Sequence, residues 1–438
     1  MNTKSADNDF TIKRLGPPVF DSPIADIARG GDHMPSFVDD SEQILLDDRA
    51  GGGFKGRPTV ELAGPRRQIL FDPGETRIGI VSCGGLCPGI NNVIRGIVLQ
   101  AWHRYGVHRI HGFRYGLRGF IPDYGHEVMA LTPTEVSAIH EDGGSILGSS
   151  RGPQDVSRIV DRLAEMSINV LFVIGGDGSL RAGLSIAEEI GKRGLRIAVV
   201  GLPKTIDNDI QCIDQSFGFQ TACTIAVEAI RGAHNEATGT LNGIGLVKVM
   251  GRHSGFLACS AALAAGHVNF VLIPEIRFGA NGDKVLLEAI RGRLERRRHA
   301  VILVAEGFGQ EFLQAGGTQT DASGNVKLED VGAFLAREIR AYFKGLDMPL
   351  DLKYIDPSYM VRSVPAGPFD SIYCWQLAQD AVHAAMCGKT ELIVADWHGR
   401  MVHVPIRQAI AERKEVDTTG DLWLSVLESM DQPAELGE

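Results

Sequence analysis

No stretch of the 438-residue sequence approaches the roughly 18 consecutive apolar residues that a membrane-spanning helix needs. The first residues, Met1-Asn2-Thr3-Lys4-Ser5-Ala6-Asp7, lead into polar sequence without the apolar core of a secretion signal. The expectation is therefore a cytoplasmic protein, neither secreted nor membrane-spanning. Positive charge is also scarce, with 44 Lys and Arg against 54 Asp and Glu and a net charge of −10. That excludes non-specific nucleic-acid binding as the main role. It also means that an anionic substrate needs local basic clusters or a metal ion to overcome the overall field. The cysteines number seven, and no Cys-x-x-Cys pair occurs among them. Cys83 and Cys87 flank Gly-Gly-Leu with no second pair to match, which argues against a zinc site. Several of the others lie in helix-like apolar stretches, where buried free thiols are ordinary. A complete Walker loop is missing too. Gly51 to Gly56 has the glycine spacing of one, but Arg57-Pro58 stands where Lys-Ser/Thr is required.

What the chain does have is glycine, 53 residues of it, much of it directly after apolar runs. Strand-to-helix turns that bind phosphate look like this. The composition, 44% hydrophobic and 22% charged, is ordinary for a soluble globular protein. Residues 1–76 are rich in Gly, Pro and Asp with weak periodicity, and read as a partly mobile extension that wraps the core or an interface. From Arg77 the pattern alternates. Strands are predicted at 78–81, 108–113, 170–174, 197–202, 245–249, 270–273, 301–305 and 392–395. Helices are predicted at 91–105, 156–166, up to 193, 221–236, 256–265, 284–298, 332–344, 372–387 and 406–414. A polar insertion, 316–325, interrupts the series. Such alternation predicts an α/β protein with parallel sheets.

Chemistry collects at the strand ends, where open α/β sheets bind their ligands. Pro203-Lys204-Thr205-Ile206-Asp207-Asn208-Asp209 follows an apolar run. Its two carboxylates, with a hydroxyl and an ammonium beside them, can bind Mg²⁺, deprotonate a hydroxyl, or both. A polar turn capping the next helix accounts for one of these residues but not for all. Gly175-Gly176-Asp177-Gly178-Ser179 sets an acid among glycines after a strand, a pattern that holds Mg²⁺ while backbone cradles a polyphosphate. NAD kinases and lipid kinases carry the same short motif. Gly84-Gly85-Leu86-Cys87-Pro88-Gly89 reads equally as a phosphate turn or a tight structural one. Gly143 to Gly152 is a small-residue loop whose Arg151 either stabilises charge on a transferring phosphoryl group or is a surface residue.

Together with Val249-Met250-Gly251-Arg252, Ala305-Glu306-Gly307 and Tyr359-Met360-Val361-Arg362, these motifs make the chain from about Arg77 to Ala395 resemble the 6-phosphofructokinases. The extended N-terminus, Gly-Ser-Ser-Arg-Gly-Pro-Gln-Asp and Lys-Tyr-Ile-Asp-Pro-Ser-Tyr resemble the long plant- and protist-type ATP-dependent branch. The resemblance implies two Rossmann-like α/β domains with mainly parallel sheets and an active-site cleft between them. Residues 77–218 plus about 361–420 would form the donor domain and 219–360 the sugar-phosphate domain, with 421–438 a tail. It further implies Mg²⁺-dependent transfer from ATP to the 1-hydroxyl of fructose 6-phosphate, the glycolytic reaction. A homodimer or homotetramer, commonly allosteric, is implied as well, with no nucleic-acid or membrane partner.

Residue roles follow from the same resemblance. Asp207 aligns with the general base, and Asp177 with the Mg²⁺ ligand, assisted by Asp209. Thr205, Arg252 and Arg151 flank the transferring group. Gly84, Gly85, Gly152, Gly176, Gly178 and Ser179 belong to the donor side. Ile206, Met250, Gly251, Glu306, Lys353, Tyr359, Met360, Val361 and Arg362 belong to the sugar-phosphate side. Tyr359 stands where short bacterial enzymes carry His, and Lys353 where they carry Arg. Gly243 stands where they supply an Arg to a neighbouring subunit. Two positions bear on the donor. Gly178 leaves open the space that Asp fills in pyrophosphate users, which favours ATP, whereas Lys204 fits both donor classes. Alternative readings are a pyrophosphate-dependent enzyme and a non-catalytic regulatory subunit. A NAD or lipid kinase explains only residues 175–179.

Overall fold

The computed structural model describes residues 9–24, 37–47, 56–277, 282–313, 327–430 and 432–433. The glycines at 51–53, the 316–325 insertion and the end of the tail, 434–438, lie outside them. The chain divides into two compact units. The first comprises Met1–Thr205, Ile210–Gly218 and Ser363–Glu412, and the second Ile206–Asp209, Phe219–Arg362 and Arg413–Glu438. Among the described residues, no helix is long and apolar enough to cross a membrane.

The first unit is built on a nine-stranded sheet. Its centre runs parallel in the order Leu392–Trp397, Ala198–Pro203, Val170–Gly175, Arg77–Ser82, Arg109–Phe113. Val-Leu-Phe-Val-Ile-Gly at 170–175 is buried throughout, which is how a strand covered on both faces must read. The edges are antiparallel: Met129–Ala130 on one side, and Arg400–Pro405, Thr59–Leu62 and Gln43–Leu45 on the other. The Val156–Glu165 helix starts on Asp155, whose carboxylate accepts the Ser157 and Arg158 N–H groups, and buries Ile159, Val160 and Leu163. The second unit carries a four-stranded parallel sheet in the order Phe270–Leu272, His299–Ala305, Gly243–Val249, Asp351–Ile355. Leu286, Ile290 and Leu294 of the Gly282–Arg297 helix recur every four residues and pack into its core.

The described part of residues 1–76 pairs with strands of the first unit, and the sequence reading differs from the structure at other places, each with a physical cause. Lys13–Arg14 pairs with Lys389–Thr390, and Thr59–Leu62 pairs with Arg400–Pro405. The helix expected at 406–414 closes at Ala409, and the chain leaves the first unit after Glu412. Residues 413–420, expected with the first unit, and the described part of the expected tail both belong to the second. There the Asp421–Ser429 helix buries Trp423 and Val426, and the Gln432 side chain accepts the Val271 N–H at 2.7 Å. Finally, Asp351–Ile355 is an edge strand with only Leu352 fully buried, so its alternation was too weak to read.

A charged cluster holds the extension to the core. Lys389, wholly buried, bonds Asp40 at 2.9 Å and also Glu61. Arg66 bonds Asp40 at 2.8 Å and Glu61 at 3.0 Å, and buried His403 meets Glu61 at 2.9 Å through Nδ1. Burial pushes the Glu61 carboxyl up, but His403 and Lys389 outweigh it and hold it at about 2. Burial depresses His403 to about 4 despite Glu61. Both shifts act in one direction. The unfolded chain takes up protons first, so stability falls as pH drops from about 6.5 towards 4 through His403, and from about 4.5 towards 2 through Glu61. We expect Glu61→Ala to cost about 3–5 kcal/mol in denaturant unfolding at pH 7, because it leaves Lys389 buried with its charge under-compensated. The melting temperature of the parent should fall between pH 7 and pH 4. A loss below about 1 kcal/mol for Glu61→Ala would contradict the cluster's role.

Candidate active site

In the first unit the Val170–Gly175 strand ends at Gly176, and the Asp177–Lys192 helix begins at once. The Gly176 carbonyl accepts the N–H groups of Ser179 and Leu180 at 2.9 and 3.0 Å. Beside this helix start lie two further loops. Gly84 N–H donates to the Ser150 carbonyl at 3.2 Å, and Ser149 Oγ donates to the Gly84 carbonyl at 2.5 Å. Lys204, only 5% exposed, donates from Nζ to the Gly85 carbonyl at 2.7 Å. A methyl group at Gly84 would stand 3.8 Å from Lys204 Nζ and 3.9 Å from Ser179 Oγ, so the loops meet. A helix N-terminus, glycine backbone and an ammonium are the elements from which anion sites are built, and here they lie together. Arg151 is exposed beside them. At Gly178 an added Cβ would meet nothing within 4 Å, so the position faces open space.

Asp177, the first residue of its helix, is forked by Arg181 one turn along, with Nε–Oδ2 and Nη2–Oδ1 both at 3.1 Å. Arg181 also donates to the Ile410 carbonyl at 2.6 Å. Sequence reading missed Arg181; its i,i+4 spacing from Asp177 is the only signal it carried. Among the described residues no three His, Cys, Asp or Glu gather to hold a metal.

In the second unit Asp207 belongs to the short Ile206–Asp209 stretch, where Asn208 takes a left-handed conformation at φ 55°. Its Oδ1 is sealed from solvent. Burial raises the Asp207 carboxyl, and the neighbouring Asp209 and Glu306 carboxylates raise it further. The Arg252 backbone N–H and guanidinium oppose them, and the result is pushed up to about 8. The loop is held from two sides. Ser254 Oγ donates to the Asp207 carbonyl at 2.9 Å, and Lys414 N–H donates to the Asp209 carbonyl at 3.0 Å. Arg252 follows Gly251, whose φ of 133° and close approach to the Ser254 carbonyl admit no side chain. Glu306 follows the His299–Ala305 strand, and burial raises its carboxyl against the pull of Arg252, Lys248 and Arg362. Asp207, Asp209, Arg252, Glu306 and Arg362 thus form one electrostatic group at the carboxyl end of this sheet.

The remaining sugar-side residues divide. Tyr359 and Met360 are 75% and 66% exposed, with the Arg362 guanidinium 4.8 Å over the Tyr359 ring. Val361 and Ile206 are buried and turn their side chains into the core. Lys353 is exposed and pairs with Asp351 at 3.0 Å. Gly243 has no room for any side chain, since a Cβ would lie 2.1 Å from the Ala237 carbonyl. Lys248 was missed. It bridges Asp356 at 2.8 Å and Asp330 at 3.3 Å within reach of Glu306. A lysine in an otherwise apolar strand, Gly243–Val249, was the signal.

Comparison with known proteins places the chain among its relatives. Residues 77–385 match the family described as Phosphofructokinase. An ATP-dependent 6-phosphofructokinase of Amycolatopsis methanolica is 47% identical over 442 residues, covering 98% of this chain and 96% of that protein. ATP-dependent 6-phosphofructokinase 7 of Arabidopsis thaliana is 46% identical over 377 residues, covering 86% and 77%. The crystal structure of a pyrophosphate-dependent phosphofructokinase from Nitrosospira multiformis superimposes with a TM-score of 0.67 at 20% identity, covering 82% of this chain and 92% of that one, a likeness of fold alone. Matched by the family over residues 77–385 and by a relative 47% identical along 98% of its length, the chain belongs to the phosphofructokinase family.

Proposed function

We propose that the protein transfers the terminal phosphoryl group of ATP to the 1-hydroxyl of fructose 6-phosphate, giving fructose 1,6-bisphosphate and ADP. The near full-length match to relatives named as ATP-dependent 6-phosphofructokinases carries the reading. Asp207 is the base. In its ionised form it takes the proton from the 1-hydroxyl as that oxygen attacks phosphorus, and its raised pKa makes that form a stronger base than a solvated carboxylate. Arg252, with Thr205 and Arg151, balances charge on the transferring group. Glu306 orients the sugar hydroxyls, and Tyr359, Arg362 and Lys353 take the 6-phosphate. The glycine loops and Ser179 bind the donor's phosphates. Asp177 is the carboxylate assigned to Mg²⁺ and Asp209 the one assigned to assist it. When bound, the ion neutralises charge on the donor's phosphate oxygens.

Lys204 fits either donor on sequence grounds, yet its ammonium braces the Gly85 carbonyl, a role that calls for no particular donor. Gly178 faces open space, which supports ATP. Asp177, Asp207, Arg252 and Arg362 all being present speaks against a non-catalytic subunit. We further assign the protein to a homodimer or homotetramer, in line with its family resemblance.

A coupled assay of fructose 1,6-bisphosphate formation should give turnover with ATP and little with pyrophosphate; the reverse result would reassign the donor. Asp207→Asn should lower kcat by about 10²–10⁴-fold. The same variant bears on stability. The folded pKa of Asp207 lies above the unfolded one near 3.8, so the folded state keeps a proton that the unfolded state releases as pH rises from about 4 to 8. Asp207→Asn should therefore raise the melting temperature at pH 8 by a few degrees and leave it unchanged near pH 4. A Cβ at Gly178 meets nothing within 4 Å, and Gly178→Asp should cut kcat/KM for ATP by about 10²-fold, because it sets a carboxylate against the donor's phosphates. Undiminished use of ATP by that variant would remove the argument from Gly178.

A further inference from the structure

Glu275 lies outside every motif of the sequence, on the segment that leaves the Phe270–Leu272 strand. Its Oε1 accepts two backbone N–H groups, from Gly255 and from Val416, each at 2.8 Å. Gly255 opens the Phe256–Ala265 helix directly after Arg252-His253-Ser254 and has no side-chain cap of its own. Val416 belongs to the stretch that enters the second unit at Arg413. Each of these pieces of chain grips the base loop. Ser254 Oγ holds the Asp207 carbonyl at 2.9 Å, and the Arg252 N–H holds the Asp207 carboxylate. Lys414 N–H holds the Asp209 carbonyl at 3.0 Å. One carboxylate thus ties together the two pieces that pin both aspartates.

The local fit is specific. A Cβ at Gly255 would stand 2.4 Å from Ile273 Cγ2 and 3.0 Å from Glu275 Oε2, so only glycine lets the carboxylate sit against this turn. A carboxylate at a helix N-terminus also meets the positive end of the helix dipole. The Lys414 ammonium, 5.1 Å over the Phe256 ring, adds a second link between the same two pieces. We propose that Glu275 is a positioning residue for phosphoryl transfer: it fastens the Arg252–Gly255 turn to the Lys414–Val416 stretch and so fixes where the Asp207 carboxylate stands. This rests on Asp207 being the base. Placement matters because a reacting group moved by about 1 Å loses on the order of 10²-fold in rate.

The test measures kcat and KM for fructose 6-phosphate, with ATP, in the full chain. Glu275→Ala removes the shared acceptor and should lower kcat by about 30–100-fold, with KM within about threefold of the parent. Glu275→Gln keeps an oxygen at the same reach and should restore kcat to within about threefold. If Glu275→Ala does not fold, Glu275→Asp, short by one methylene, replaces it with the same expected split between kcat and KM. A kcat within threefold of the parent for the Ala or Asp variant overturns the proposal. So does a loss shared equally by Glu275→Gln, or one accounted for by the unfolded fraction in circular dichroism. Asp207→Asn, run alongside, separates the two readings. If it keeps its activity, the base assignment has failed; if it is inactive while Glu275→Ala is not, only the positioning role has failed.

Discussion

A carboxylate kept from water beside two other carboxylates is the arrangement that the second unit has to sustain. Burial, Asp209 and Glu306 all oppose the ionisation of Asp207, whereas the Arg252 N–H and guanidinium favour it. An aspartate left free to move would relieve this by turning towards solvent. The structure prevents that with a left-handed residue at Asn208, hydrogen bonds from Ser254 and Lys414 to the loop carbonyls, and Gly251 bringing Arg252 close. The loop is therefore held by its backbone, while the side chain carries the unfavourable interaction. Such opposed terms are common at reactive sites and are offset by stability elsewhere in the fold.

The first unit solves the complementary problem. Its loops bring glycine backbone, a helix start and an ammonium together. The carbonyls that would repel a phosphate are occupied internally: that of Gly84 by Ser149, and that of Gly85 by Lys204. Asp177 would repel it as well, and Arg181 balances that charge in the same helix. Lys204 and Asp207 are near neighbours in sequence yet belong to different units, because the chain passes from one to the other between Thr205 and Ile206. The dense polar motif is thus two half-motifs with opposite electrostatic tasks.

How legible this was depends on the range of each interaction. The buried strands and the polar stretches that follow them are local patterns, and the family resemblance rested on them. Arg181 left a faint local trace, an i,i+4 spacing. Lys248 left one too, a charge inside an apolar strand. Glu275, Ser254 and Lys414 left none, because their partners are distant in sequence. The closing segment shows the same limit. Trp423 and Val426 look like an ordinary amphipathic helix, and nothing local says which unit they cover.

From the residues alone came the α/β alternation and the polar, aspartate-bearing stretches at strand ends, since hydrophobic period and residue type are properties of short stretches. Tertiary contacts settled which carboxylate is held against its own charge, which cations are already committed, and to which unit residues 9–24 and 413–430 belong. Those depend on burial and on hydrogen bonds between remote segments. Electrostatic free energy is set by what surrounds a group in space, and the surroundings of Asp207 are assembled from residues near 207, 252, 306 and 414.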